Sequence, residues 1–179
     1  MVGDIQRARM AVTGRGFMTP TEQNERYLLC RIGSRVAALA LKDVRETMRP
    51  LPIEPLVGTP SFVLGLAIIR GSPTPVVGAG LLLGSSASPS TPHGSPAPAR
   101  FVSLKLGERT AALAVDAVLG VRWLAPETLS NIPPLLCGGD AELVLLIGAL
   151  DAKLLLVLEA ARLVPDSVWS AISTPGAFA

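Results

Sequence analysis

Apolar and polar positions follow a short-strand rhythm from residue 27 onward. Residues 27–32 (YLLCRI) and 36–41 (VAALAL) are β-type runs separated by Gly33-Ser34, a pair suited to a tight hairpin. Residues 42–48 are polar and lack breakers until Pro50, which predicts a short helical turn or connector. Pro50, Pro52, Pro55 and Pro60 then hold the chain extended. Strand patterning resumes at 62–69 and 74–77, on either side of Arg70-Gly71, and 81–83 offers one more edge.

The segment 85–99, SSASPSTPHGSPAPA, has no apolar period and cannot bury a face, so it reads as a surface loop or linker. Beyond it the same grammar restarts: residues 101–106, a turn at Gly107-Glu108, then a long run over 110–119. Residues 126–134 form an irregular connector, 143–150 and 153–158 a further hairpin, and 160–163 and 166–172 short closing helices, with Asp166 placed to cap the last. Many short strands with Gly and Pro turns predict an all-β barrel or sandwich built from two similar halves.

Composition narrows the choices. A chain of 179 residues with 49% hydrophobic content can bury a sizeable core, as one domain or two closely joined subdomains. The net charge of +2, with arginines scattered rather than striped, argues against a phosphate-tracking surface, and 4% aromatic residues leave an SH3-like nucleic-acid binder without stacking platforms. Asp151, Lys153, Glu159 and Arg162 interrupt the most apolar stretch, 143–164, so it reads as strands and a helix rather than a membrane span. Residues 1–25 carry Arg7, Arg9 and Arg15 without the apolar block of a secretory signal and are expected to be a disordered leader of a cytoplasmic protein. Cys30 and Cys137 could form a bridge, but Cys30 lies in an apolar strand pattern where a free thiol behaves as a small hydrophobe, so both are read as reduced; two cysteines cannot build a structural zinc site.

No catalytic constellation emerges. His93, the sole histidine, lies inside the Ser/Pro-rich segment, where nothing rigid would orient it. Asp116 suits a strand-end hydrogen bond and Asp140 a turn cap. Gly78, Gly80 and Gly84 lack the Lys-Ser/Thr pair of a phosphate loop. Arg70 stands out: it ends an apolar run and precedes a glycine, so it belongs at an exposed strand end. There it would either meet a partner or act structurally, capping carbonyls or pairing with Glu46.

The stretch Gly65-Leu66-Ala67-Ile68-Ile69-Arg70-Gly71-Ser72-Pro73-Thr74-Pro75-Val76-Val77 resembles the signature of the CheW-like family, roughly G-x-x-N-x-R-G-x-x-x-P-[VI]-[VI]-D, at Gly65, Arg70, Gly71, Pro75, Val76 and Val77. The likeness extends to Val44-Arg45-Glu46, Val115-Asp116-Ala117-Val118 and Ile147-Gly148-Ala149-Leu150. It implies two small five-stranded SH3-like β-barrels sharing a core: residues 26–84 as the first barrel, 85–99 as a loop, 100–158 as the second barrel, 159–172 as closing helices and 173–179 as a tail. It further implies a non-enzymatic chemosensory adaptor without cofactor or metal, coupling the signalling tip of a methyl-accepting chemoreceptor to the regulatory domain of a CheA-type histidine kinase. Arg70, Val44, Glu46, Gly65, Gly71 and Val118 would be the partner-binding residues. Three positions depart from the pattern, Ile68 for Asn, Pro73 for an aliphatic residue and Gly78 for Asp. They leave a diverged adaptor that binds only one of the two partners as the alternative, with loss of a ladder donor expected at Pro73.

Overall fold

The computed structural model describes residues 25–84, 99–131, 144–151 and 153–173; the leader, the segment 85–98 with His93, and Cys137 and Asp140 lie outside them. The two halves open on similar hairpins, β1 (Glu25–Ile32) with β2 (Arg35–Ala40), and β6 (Arg100–Leu106) with β7 (Arg109–Val115). The first half continues through a 3-10 turn, Leu41–Asp43, to β3 (Val44–Met48), β4 (Val63–Ile69), β5 (Ser72–Gly78) and α1 (Ala79–Leu82). The second continues through β8 (Ala117–Leu124), β9 (Leu129–Asn131), β10 (Val144–Leu150), β11 (Lys153–Leu158) and α2 (Asp166–Ser173).

Three local readings change, each for a tertiary reason. Residues 44–48 are an edge strand rather than a connector, because β6 supplies the pairing that their own polarity does not advertise. Residues 81–83 fall in and just after α1 rather than in a strand, since Ala79, Leu82 and Leu83 reach the core at helical spacing. The run 110–119 breaks at Asp116. Its N–H donates to the Arg31 carbonyl at 3.1 Å and its Oδ2 accepts the Gly33 N–H at 2.6 Å, so the strand-end role expected of this residue is the one observed. Asp166 is the first residue of α2, one position inside the expected cap.

The chain forms two sheets: β8-β1-β2-β11-β10-β9 and β3-β6-β7-β5-β4. Neither is assembled from one continuous stretch. The β1–β2 hairpin lies among strands of the second half, β2 running parallel to β11, while the β6–β7 hairpin lies among strands of the first, β7 running parallel to β5. The fold is thus mainly β, with six strands in one sheet and five in the other.

Side-chain alternation produces three apolar clusters. Leu28, Cys30, Leu39 and Leu158 of the six-stranded sheet meet Val102, Leu104, Leu113 and Val115 of the five-stranded one in a shared core, which Val168 of α2 joins. The opposite side of the first sheet gathers Tyr27, Leu29, Ala38, Leu155 and Val157, and that of the second gathers Ala67, Ile69, Val76, Phe101 and Ala114. Strands buried on both faces explain the near-continuous hydrophobic runs of β1, β2, β7 and β11.

Candidate partner-binding site

Arg70 and Gly71 are the two central residues of the β4–β5 hairpin, closed by the Ile69–Ser72 pair. Both have positive φ, 51° and 79°, as the turn that best matches strand twist requires. Glycine adopts this freely; arginine does not. The Arg70 side chain reaches Glu46 of β3 with a two-pronged contact, Nε to Oε1 at 2.6 Å and Nη2 to Oε2 at 2.7 Å. β3 and β4 are opposite ends of the five-stranded order, so this pair ties the sheet's two edges together. The Arg70 hydrogen bond holds the Glu46 carboxyl below the usual carboxylate range, and Glu46 in turn raises the guanidinium. With 77% and 30% of their side chains exposed, both ends of the pair are open to solvent, so the structural pairing leaves the cation accessible from outside.

A bulge aims Glu46. Val44 pairs with Leu104 but Glu46 with Ser103, so Arg45 is an extra residue; Val44 packs on the shared core while Glu46 turns to the side that carries Phe101. The same device operates in β4, where Val63 pairs with Val77 and Gly65 with Val76. Gly65 has φ of 139°, and a Cβ there would fall 2.1 Å from the Glu54 carbonyl oxygen. Only glycine lets the strap around Glu54 exchange two backbone hydrogen bonds with Leu66, both at 2.8 Å. Val118, on the other sheet, pairs with Cys30 and packs on the shared core, as Val44 does from its side.

The three divergent positions have distinct settings. Ile68 and Pro73 are cross-strand neighbours, both exposed, with Ile68 at 63%. Pairing alternates outward from the hydrogen-bonded Ile69–Ser72 closure, so Pro73 falls at a position with no ladder bond to β4, and β7 pairs only with Val76–Gly78. Pro73 therefore removes no ladder donor, contrary to the sequence-based expectation; it blunts an open margin. Gly78 is buried, and a Cβ added there would meet the Leu64 side chain at 3.2 Å.

The strand pattern alone did not single out the exposed apolar residues of β8, namely Leu119, Val121 and Trp123. Their alternate spacing after Asp116 was the available signal. A separate cleft of about 260 Å³ lies between the sheets, where Lys42 and Tyr27 both donate to Glu25, at 2.7 and 3.1 Å. Burial, aided by Glu25, pushes the Tyr27 hydroxyl up to about 12. Among the described residues no three His, Cys, Asp or Glu side chains are grouped to hold a metal ion, and no helix is long and apolar enough to cross a membrane.

Two β-sheets on a common core, with an ion-paired hairpin tip on one and an exposed apolar strand on the other, define a β-sheet scaffold whose features are surfaces. The chain belongs to the CheW-like domain family, whose model matches residues 26–168. It is 28% identical over 139 residues to Protein FrzA of Myxococcus xanthus, covering 78% of this chain and 82% of that one. Its fold matches the crystal structure of the scaffolding protein TtCheW from Thermoanaerobacter tengcongensis with a TM-score of 0.64 at 20% identity, over 79% of this chain and 98% of the other. The chain is accordingly a CheW-like adaptor of chemotaxis-type signalling.

Proposed function

We propose that this adaptor couples the signalling tip of a chemoreceptor to the regulatory domain of a CheA-type histidine kinase, acting by occupancy and without chemistry of its own. The observation that carries the reading is the exposed apolar row Leu119, Val121 and Trp123 of β8, which follows Val118, a residue only partly buried against the shared core. Such a surface suits a helical partner, and the Glu46–Arg70 tip offers a charged anchor on the five-stranded sheet.

The exposed Ile68–Pro73 pair favours the one-partner alternative, because an apolar edge replaces the amide that family members present there. Titrating the protein against a receptor tip fragment and a kinase regulatory domain separates the readings. Tight binding of both supports coupling, and loss of binding in Arg70→Glu with the fold retained places the hairpin tip in the interface. Binding of one only, with the other recovered by Ile68→Asn plus Pro73→Ile, supports the diverged adaptor.

A further inference from the structure

The cleft beside Tyr27 combines an apolar lining with charged side chains of both signs. Ala40 of β2, Val157 and Leu158 of β11 and Ala160 after it supply the apolar part. Glu25, Asp43 and Glu159 stand around it with Lys42 and Lys105. Two of these carboxylates are already committed, Glu25 to Lys42 at 2.7 Å and Glu159 to Arg162 at 2.6 Å. Asp43 and Lys105 remain, one of each sign, and among the described residues neither has an ion-pair or side-chain hydrogen-bond partner.

The register of β3 on β6 explains where these two charges stand. Val44 pairs with Leu104, so Asp43 and Lys105 occupy the next positions on the two antiparallel chains and lie side by side. A carboxylate and an ammonium that are neighbours without closing on each other can both be met by one molecule whose own opposite charges are equally close. An α-amino acid has that form, with its ammonium and carboxylate on a single carbon. A lone anion would face three carboxylates in this cleft, and a lone cation two lysines. The volume, about 260 Å³, is smaller than the roughly 300–1,000 Å³ of pockets that take drug-sized molecules, so the guest is small. The apolar lining suits an aliphatic side chain.

We propose that this cleft binds a free α-amino acid with an aliphatic side chain, its ammonium on Asp43, its carboxylate on Lys105 and its side chain against Ala40 and Val157. The adaptor then carries a chemical input of its own. The cleft takes Glu25 and Tyr27 from the start of β1, whereas Val118 pairs with Cys30 further along that strand, so the inference stands apart from the coupling reading. The test uses the full chain labelled with 3-fluorotyrosine, which reports on Tyr27 alone because the chain has a single tyrosine; circular dichroism reports whether each variant is folded. L-Leucine is expected to shift the Tyr27 resonance saturably. Asp43→Asn and Lys105→Gln should each weaken that binding roughly fivefold. N-acetyl-L-leucine, which lacks the ammonium, should bind more weakly and be indifferent to Asp43→Asn; L-leucinamide, which lacks the carboxylate, should be indifferent to Lys105→Gln. A shift that never saturates, analogues that bind as well as L-leucine, or full-strength binding by Lys105→Gln overturns the proposal. Lys105 is exposed, so that variant decides the matter should Asp43→Asn fail to fold.

Discussion

Arg70 pays in backbone conformation for its place on Glu46. Replacing it with glycine removes the ion pair but relieves the positive φ, whereas replacing it with glutamate keeps the strained backbone and sets a second carboxylate against Glu46. Arg70→Glu is therefore expected to lower the melting temperature more than Arg70→Gly, and Glu46→Arg with Arg70→Glu to recover part of the loss. Differential scanning calorimetry on the four proteins checks the order. Because Glu46 titrates lower in the folded state than in the unfolded chain, its contribution is present at neutral pH and is lost as pH falls through the folded value. The stability gap between wild type and Glu46→Gln should accordingly close in acid.

Cys30 provides the alkaline counterpart. It is wholly buried, and burial pushes its thiol up to about 12, so the unfolded chain releases this proton first, from about 8.5 upward. The stability held by the protonated thiol is intact below that pH and declines as pH approaches the folded value. In a Cys137→Ser background, alkylation at pH 8 should be slow without denaturant and fast with it; rapid labelling of the native protein would contradict this burial. At this scale the sequence was informative about residue type. The exposed Arg70 turn, the apolar Cys30 and the strand-end Asp116 follow from their immediate neighbours. The aim of Glu46 and the exposure of Trp123 do not, because each depends on a bulge, and a bulge is a mismatch between two strands that neither strand records.

Among the elements, β4 and the strap beside it form the most constrained pair. Gly65→Ala would drive a methyl group into the Glu54 carbonyl at a φ that alanine avoids, and is expected to cost about 2–4 kcal/mol. Hydrogen exchange supplies the check, since the Glu54 and Leu66 amides should lose protection before those of β6 and β7. Gly107→Ala, in a turn with open space around it, offers a comparison in which positive φ is the only cost, about 1 kcal/mol. The hairpins were legible because two turn residues between apolar runs encode them locally. β3 was not, for its polar residues become a strand only when β6 lies beside them.

At the scale of the molecule, the controlling fact is that each sheet borrows a hairpin from the other half of the chain and both rest on one core. Heat or denaturant should therefore produce a single cooperative transition, with fluorescence and far-UV circular dichroism superimposing. Fragments 1–84 and 99–179 should each be unfolded alone and regain sheet structure when mixed. Two separated transitions, or a folded isolated fragment, would refute that coupling. Strand content and the repeated hairpin layout foretold a mainly β fold; the exchange of hairpins has no local signature, since β1 and β6 would pair equally well on paper with strands of their own half.

The same exchange bears on how the chain leaves the ribosome. β2 lies against β11, so Val36 waits for Leu155, over a hundred residues later, before its second neighbour exists. At roughly 5–20 residues per second the wait is on the order of ten seconds. Throughout it, the apolar margin of the first hairpin has no native cover, which makes the nascent first half a substrate for chaperones and makes translation speed, rather than intrinsic folding speed, the clock for assembly.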